Sequence, residues 1–428
     1  MTRFLYNLAL LALLPWVWLR LRLRGRKQPE YLQHTGERFG FYPSAQKEKE
    51  TGDLIWLHAV SVGETRAAAP IVAALKARHP GCRILLTHMT PTGRQTAEAL
   101  FGDGAQRAYL PYDYPFAVRR FLRHFRPAVG VLLETELWPN LIAQCQKHGM
   151  PLLLANARLS EKSARRYARF PRLTRAALQG LAAIAAQTEA DAARLRALGA
   201  PRVDALGNVK FDLLPPPEQL ALGETLRQRM GPRPVLLAAS TREGEEALLF
   251  AALTQRPERL GDALLVVVPR HPQRFDEVAA LAGKLGFIVQ RRSENTPLAA
   301  ATQVLIGDSM GELFAYYAAC DIAFIGGSLL DHGSQNLIEA CAVGRPVLIG
   351  PSTYNFSHAA EQALACGAAK QIGSAQELLE TASALLADEP TRQRMGAAGK
   401  AFAAAHRGAT AKTIALIESR LAAAHVPQ

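Results

Sequence analysis

Leu54-Ile55-Trp56-Leu57-His58-Ala59-Val60-Ser61-Val62-Gly63-Glu64 is the stretch on which the fold reading turns. Residues 54–60 form an unbroken apolar run instead of an alternating one, which predicts a parallel strand buried on both faces. Ser61 to Glu64 then turns the chain into a helix running to about Arg78. The same unit recurs outward from it. Strands are predicted at 83–89, 129–134, 151–156, 183–187 and 203–207, with helices between them. Three consecutive prolines, Pro215 to Pro217, fit neither a helix interior nor a strand and mark a linker. The alternation restarts with strands at 235–240, 263–269, 286–290, 303–308, 321–327 and 345–350, and an Ala-rich helical stretch follows from Ala375. The fold class is therefore α/β, with two Rossmann-like doubly wound domains, 28–212 and 213–428. Such sheets bind ligands at the carboxyl ends of their strands, so two of them are expected to face across one cleft.

Residues 1–27 stand apart. Phe4 to Leu19 is an uncharged run of 16 residues, about 24 Å long as a helix against a hydrocarbon core of about 30 Å. Trp16 and Trp18 sit where interfacial aromatics belong, and Arg20, Arg22, Arg24, Arg26 and Lys27 follow at once. The charge lies after the apolar stretch, which argues against a cleaved signal peptide. The segment is expected to be a membrane anchor that spans once or lies in the interface, with the rest of the chain on the cytoplasmic side. No second uncharged run approaches spanning length, which excludes a polytopic membrane protein.

The chain has 428 residues, of which 49% are hydrophobic and 20% charged, so it is globular and not disordered. Its net charge of +13 favours anionic partners, including anionic lipid headgroups. The run Lys162, Arg165, Arg166, Arg169, Arg172 and Arg175 meets a single acid, Glu161, and is either a solvated face or a lipid-facing one. No aromatic stacking platform or recognition motif supports nucleic-acid binding. Five widely spaced cysteines without a CxxC indicate neither a disulfide framework nor a zinc site.

Several strand ends carry candidate chemistry. Glu64 suits a general base at a strand's carboxyl end, but Ser61-x-x-Glu64 also fits a capping box, and a helix N-terminus would lower the carboxyl pKa. Glu134 and Glu136 follow the strand at 129–134, ahead of Pro139. At strand spacing they share a side, whereas in a turn they diverge. Either could position an acceptor hydroxyl or be a solvated acid. Lys210 sits at the domain junction, where it could meet an anionic group or simply be solvated. Pro269 and Arg270 end another strand, and a guanidinium there suits a phosphate. Gly307 to Glu312 and Gly326 to Glu339 are Gly-containing loops entering helices, of the kind that offer backbone N–H groups to phosphates. G-x-G-x-x-G, a Walker A motif and a metal-holding D-x-D are all missing from the sequence.

Taken in order, HAVSVGE, ETELWPN, GNVKFD, PRHPQR, DSMGE and GGSLLDHGSQNLIEA resemble the 3-deoxy-D-manno-octulosonic acid (Kdo) transferases of lipid A biosynthesis. The resemblance implies a GT-B fold with an inverting, metal-independent site and no cofactor. It implies CMP-Kdo as donor, lipid IVA as acceptor, and a place on the cytoplasmic face of the bacterial inner membrane. It makes Glu64 the general base and Glu136 and Lys210 the supports of the transition state. Cytidylate binding falls to Pro269, Arg270, Met310, Gly311, Glu312, Asn336, Leu337, Ile338 and Glu339. Another GT-B lipid glycosyltransferase or a nucleotide-sugar epimerase would share the fold but use another nucleotide. A non-catalytic membrane-anchored scaffold would need neither Glu64, Arg270 nor Glu339.

Overall fold

The computed structural model describes residues 2–43 and 52–424. Met1 of the expected anchor, residues 44–51 of the first domain and residues 425–428 of the second lie outside the described residues.

Residues 54–212 build a seven-stranded parallel sheet from β1 (Leu54–His58), β2 (Arg83–His88), β3 (Gln106–Tyr109), β4 (Val129–Leu133), β5 (Leu152–Ala157), β6 (Ala183–Ala186) and β7 (Asp204–Ala205). Their order is β3-β2-β1-β4-β5-β6-β7. The order reverses between β1 and β4, which pair directly with His58 opposite Leu132. Every residue of β1 is buried, as its continuous apolar run requires. Trp56 fills the space beside Gly130 of β4, where an added Cβ would come within 2.6 Å of the indole. The buried indole N–H donates to the Thr87 hydroxyl at 2.7 Å.

A second parallel sheet contains β8 (Val235–Thr241), β9 (Leu264–Pro269), β10 (Val289–Arg291), β11 (Val304–Ile306), β12 (Ile322–Ile325), β13 (Val347–Ile349) and β14 (Ala369–Gln371). The order is β10-β11-β9-β8-β12-β13-β14, with its reversal between β8 and β12. β3 and β14 were not expected from sequence. Both are edge strands with polar or charged residues, so they lack the apolar run that marks a central strand.

The chain divides into two compact units, residues 1–212 with 407–428, and residues 213–406. This corrects the sequence-based assignment of 213–428 to one domain. The helix Ala409–Ala424 returns to the first unit because Ile414, Ile417 and Leu421 form a stripe at helical spacing. That stripe completes the core made by Ile55, Leu57, Ile71 and Val209. Asp212 fixes the start of this helix by accepting from the backbone N–H of Gly408 and Thr410, both at 2.6 Å. Glu418 on the same helix pairs with Arg78 and His79 at 2.7 and 2.8 Å.

Asp212→Ala would strip both acceptors from the N-terminus of this helix, and should cost about 1–3 kcal/mol. All four tryptophans (Trp16, Trp18, Trp56 and Trp138) lie in the first unit, so tryptophan fluorescence under urea reads that unit alone. Its midpoint should fall in the variant; an unchanged midpoint would show that the tail is not held this way.

Candidate active site

Glu64, Glu134 and Lys210 meet at the carboxyl end of the first sheet. Glu64 is the third residue of the helix Val62–Arg78 that follows β1. Its two oxygens are held separately, one by the Val60 backbone N–H at 2.7 Å and the other by the Ser61 hydroxyl at 3.0 Å. Ser61 makes no side-chain bond to the helix backbone, so the reciprocal capping box does not form. The hydrogen bonds from Val60 and Ser61 lower the carboxyl pKa, but burial outweighs them. Burial, together with the negative charge of Glu134, pushes it up to about 8.

Glu134 follows β4, the strand beside β1, and its backbone lies in the left-handed region at φ 61°. A non-glycine residue there is costly, and such outliers concentrate where function fixes a side chain. The carboxylate accepts a 2.6 Å ion pair from the Lys210 ammonium. Burial alone would raise the Glu134 pKa, but Lys210, with help from the charge of Arg158, outweighs it and holds the group below the usual carboxylate range.

Glu136 points elsewhere. It accepts from the Trp138 indole N–H at 2.5 Å, and burial pushes it up to about 7. The left-handed turn at Glu134 ends strand geometry, so the two carboxylates diverge. Lys210 thus meets Glu134, while Glu136, the carboxylate named with Lys210 in the sequence analysis, turns to Trp138.

Asn156 supports this arrangement and was missed from sequence. It is buried on β5 at φ 53°, and its side-chain oxygen accepts the Val209 N–H at 3.2 Å, one residue before Lys210. Only the presence of an asparagine, the residue type that most readily takes a left-handed backbone, inside an apolar strand could have signalled it.

In the second unit, the expected residues sit on neighbouring strand ends. Pro269 closes β9, and the Arg270 backbone N–H donates to Thr241 of β8 at 3.0 Å. The Arg270 side chain donates to Gln335 at 3.3 Å. Met310 is half exposed, and Gly311 adopts φ 87°, a conformation only glycine takes readily. Glu312 accepts from Ser309 at 2.6 Å and pairs with Arg292 at 3.3 Å, which removes the capping-box reading of Ser309-x-x-Glu312. Asn336 donates to Glu339 at 3.0 Å and accepts the Ile338 N–H at 3.1 Å. Leu337 and Ile338 are core side chains, so only their backbone can meet a ligand.

Two buried acids organise these loops, and sequence reasoning passed over both. Glu245 accepts from the backbone N–H groups of Arg242, Gly327 and Leu329 at 2.8, 2.6 and 3.0 Å. Glu246 holds Arg274 in a two-pronged pair at 2.7 and 2.9 Å. Burial and the nearby guanidinium groups of Arg270, Arg242 and Arg274 lower the pKa of His271, so this corner is cationic. Among the described residues, no group of three or more His, Cys, Asp or Glu side chains is placed to hold a metal ion.

Two Rossmann-like parallel sheets of this kind are the two halves of a GT-B fold. Residues 33–213 match the family described as 3-deoxy-D-manno-octulosonic-acid transferase (kdotransferase), and residues 250–402 match glycosyl transferases group 1. A 3-deoxy-D-manno-octulosonic acid transferase of Bordetella pertussis is 43% identical, over 98% of this chain and 100% of that one. One from Haemophilus influenzae is 38% identical over 98% and 99%. The chain belongs to the 3-deoxy-D-manno-octulosonic acid transferase family. The S. aureus MnaA–UDP structure shares the fold at a TM-score of 0.60 and 15% identity, covering 86% of this chain and 97% of that one.

Removing the Lys210 cation from this cluster has a readable cost. Lys210→Met leaves Glu134 ionised, largely buried and unpaired, and should destabilise the first unit by about 3 kcal/mol at pH 8. Without Lys210 the Glu134 pKa rises, so the loss should shrink as the pH falls and Glu134 takes up a proton. The double variant Lys210→Met/Glu134→Gln should recover most of it at pH 8. Urea unfolding at the two pH values reads both effects.

Proposed function

We propose that the protein transfers Kdo from CMP-Kdo to lipid IVA with inversion, at the cytoplasmic face of the bacterial inner membrane. The observation that carries the reading is Glu64. It is a buried carboxyl whose pKa lies near 8, fixed by two hydrogen bonds beside the Glu134–Lys210 pair. A carboxylate with a raised pKa is a stronger base than an ordinary one, and near neutrality it can both accept and release a proton.

In the proposed step the acceptor hydroxyl oxygen bonds to the anomeric carbon of Kdo as its proton passes to Glu64. The bond from that carbon to the cytidylate phosphate oxygen breaks, and its electron pair leaves with the phosphate. Positive charge builds on the sugar in between, next to the Glu134 carboxylate that Lys210 holds in place. Glu136, turned to Trp138, takes a supporting place in this scheme. In the second unit Pro269, Arg270, Met310 to Glu312 and Asn336 to Glu339 receive the cytidylate, with Glu245 keeping the loop at Gly327 in shape. Guanidinium and backbone N–H donors meet the charge on the leaving phosphate, without a metal ion. The anionic donor and bisphosphate acceptor suit the chain's net charge of +13.

The test is transfer from CMP-Kdo to lipid IVA in detergent with EDTA, with products resolved by mass. Wild type should turn over, and Glu64→Gln should lose roughly 10²–10⁴-fold in kcat while still binding cytidylate. Because the base must be ionised, wild-type kcat/KM should rise with pH and level off above about 8. Full activity in Glu64→Gln, or turnover that needs a divalent ion restored, would contradict the mechanism.

A further inference from the structure

The helix Arg3–Lys27 is long and apolar enough to cross a membrane, yet it is fastened near both ends to the first unit. Tyr6, Asn7, Leu10, Leu14, Val17, Leu21 and Gly25 recur every three or four residues and are the more buried positions of this helix. Its uncharged polar residues, Tyr6 and Asn7, lie on that inward stripe. The Tyr6 hydroxyl donates to the Asp113 carboxylate at 3.0 Å. The Asn140 side-chain amide donates to the Asn7 oxygen at 2.7 Å, and the Tyr114 hydroxyl donates to the Leu10 carbonyl at 3.0 Å. Asp113 is itself built in, accepting the backbone N–H groups of Asn140 and Leu141 at 3.0 and 2.8 Å.

The far end is fixed as well. Gly25 packs so closely on Leu32 that an added Cβ would lie 2.4 Å from the Leu32 Cγ, and Arg24 lies over the Tyr31 ring at 5.5 Å. The two docking points, Tyr6 and Gly25, are 19 residues apart, or about 28 Å along the helix.

That distance is nearly the whole hydrocarbon thickness of about 30 Å. A helix crossing the bilayer with Arg20 to Arg26 on the cytoplasmic side would carry Tyr6 and Asn7 to the opposite leaflet. Asp113, Tyr114 and Asn140 cannot follow them, because they belong to a domain with a charged surface. Crossing would break the three hydrogen bonds and leave polar groups without partners in hydrocarbon.

The outward face has the opposite character. Phe4, Leu5, Leu8, Leu11, Leu13, Trp16, Trp18, Leu19 and Leu23 are exposed, from 42% for Trp18 to 74% for Phe4. Arg20 folds over Trp16 at 5.2 Å and Arg22 over Trp18 at 4.6 Å, which interleaves cations with interfacial aromatics. Arg20, Arg22, Arg24 and Arg26 are all exposed. An apolar face edged by cations matches the headgroup boundary of an anionic bilayer.

We propose that this helix lies in the plane of an anionic membrane surface and does not cross it, held there by the latch of Tyr6 and Asn7 on Asp113 and Asn140. Asn140 ends the segment that begins at Glu134, so the latch also ties the membrane seat to the loop carrying the catalytic carboxylates. The inference deepens the membrane placement proposed above and rests on it. Its test needs no transferase activity, so the two can fail separately.

The experiment places a spin label at Leu5, Leu11 or Leu19, all outward-facing, in full-length protein with Cys82 and Cys366 replaced by Ser, on vesicles containing anionic lipid. Depth is read from relaxation by oxygen against a water-soluble nickel complex. The in-plane helix predicts three shallow depths agreeing within about one helical turn, ~5 Å. A crossing helix predicts Leu11 deepest, with Leu19 about 12 Å away along the bilayer normal. That profile, or labels left in water, would overturn the proposal. The double variant Tyr6→Phe/Asn7→Leu should sink position 5 relative to position 19, and unchanged depths there would show that the latch does not set the plane.

Discussion

Of three largely buried carboxyls at the carboxyl end of the first sheet, Lys210 pairs with one, and the chemistry of the site depends on which. Lys210 commits its charge to Glu134 at 2.6 Å. Glu134 therefore stays ionised, and its negative charge adds to burial in lifting Glu64 to about 8. Glu136, leaning on the Trp138 indole, rises to about 7. Two carboxyls in one site thus separate into a fixed anion and a proton acceptor, as environments do when they drive neighbouring pKa values apart. The sheet topology brings them together: Glu64 and Glu134 follow β1 and β4, the adjacent strands at which the strand order reverses.

The second unit uses buried carboxylates differently. Glu245 and Glu246 are wholly buried, and both are saturated with donors from loops and from Arg274. They hold the loops at Arg242, Gly327 and Leu329 and the Arg274 side chain in place at the strand ends. A cationic, shaped rim of that kind suits a nucleotide phosphate. The N-terminal helix shows the same logic at a surface: a built-in carboxylate, Asp113, organises Tyr6 and the start of the helix Pro139–Lys147.

Much of this was legible in the sequence: twelve strands were expected, among them all ten interior strands, which are mostly apolar runs. β3 and β14 did not, being short edge strands with polar faces. The return of the C-terminal helix to the first unit was hidden too, since its apolar stripe does not say which core it completes. Glu64, Lys210 and Arg270 stood out from motif and strand-end position, and the structure places all three at strand ends or beside them. The pairing of Lys210 with Glu134 was not legible, because it depends on a left-handed residue at Glu134, which no spacing rule predicts for a glutamate. Asn156, Glu245 and Glu246 escaped notice because their roles are made by contacts between segments distant in sequence.

The central claim is that Glu134, kept anionic by Lys210, helps hold the proton on Glu64. It is tested most directly by titrating Glu64 with side-chain 13C-labelled glutamate and NMR, in wild type and Glu134→Gln, with the resonance assigned from its loss in Glu64→Gln. Glu64 should titrate near 8 in wild type. In Glu134→Gln its pKa should fall, because a like charge is gone and Lys210 is released from its partner. A Glu64 carboxyl that titrates in the ordinary range near 4.3, or that does not move in Glu134→Gln, would contradict it.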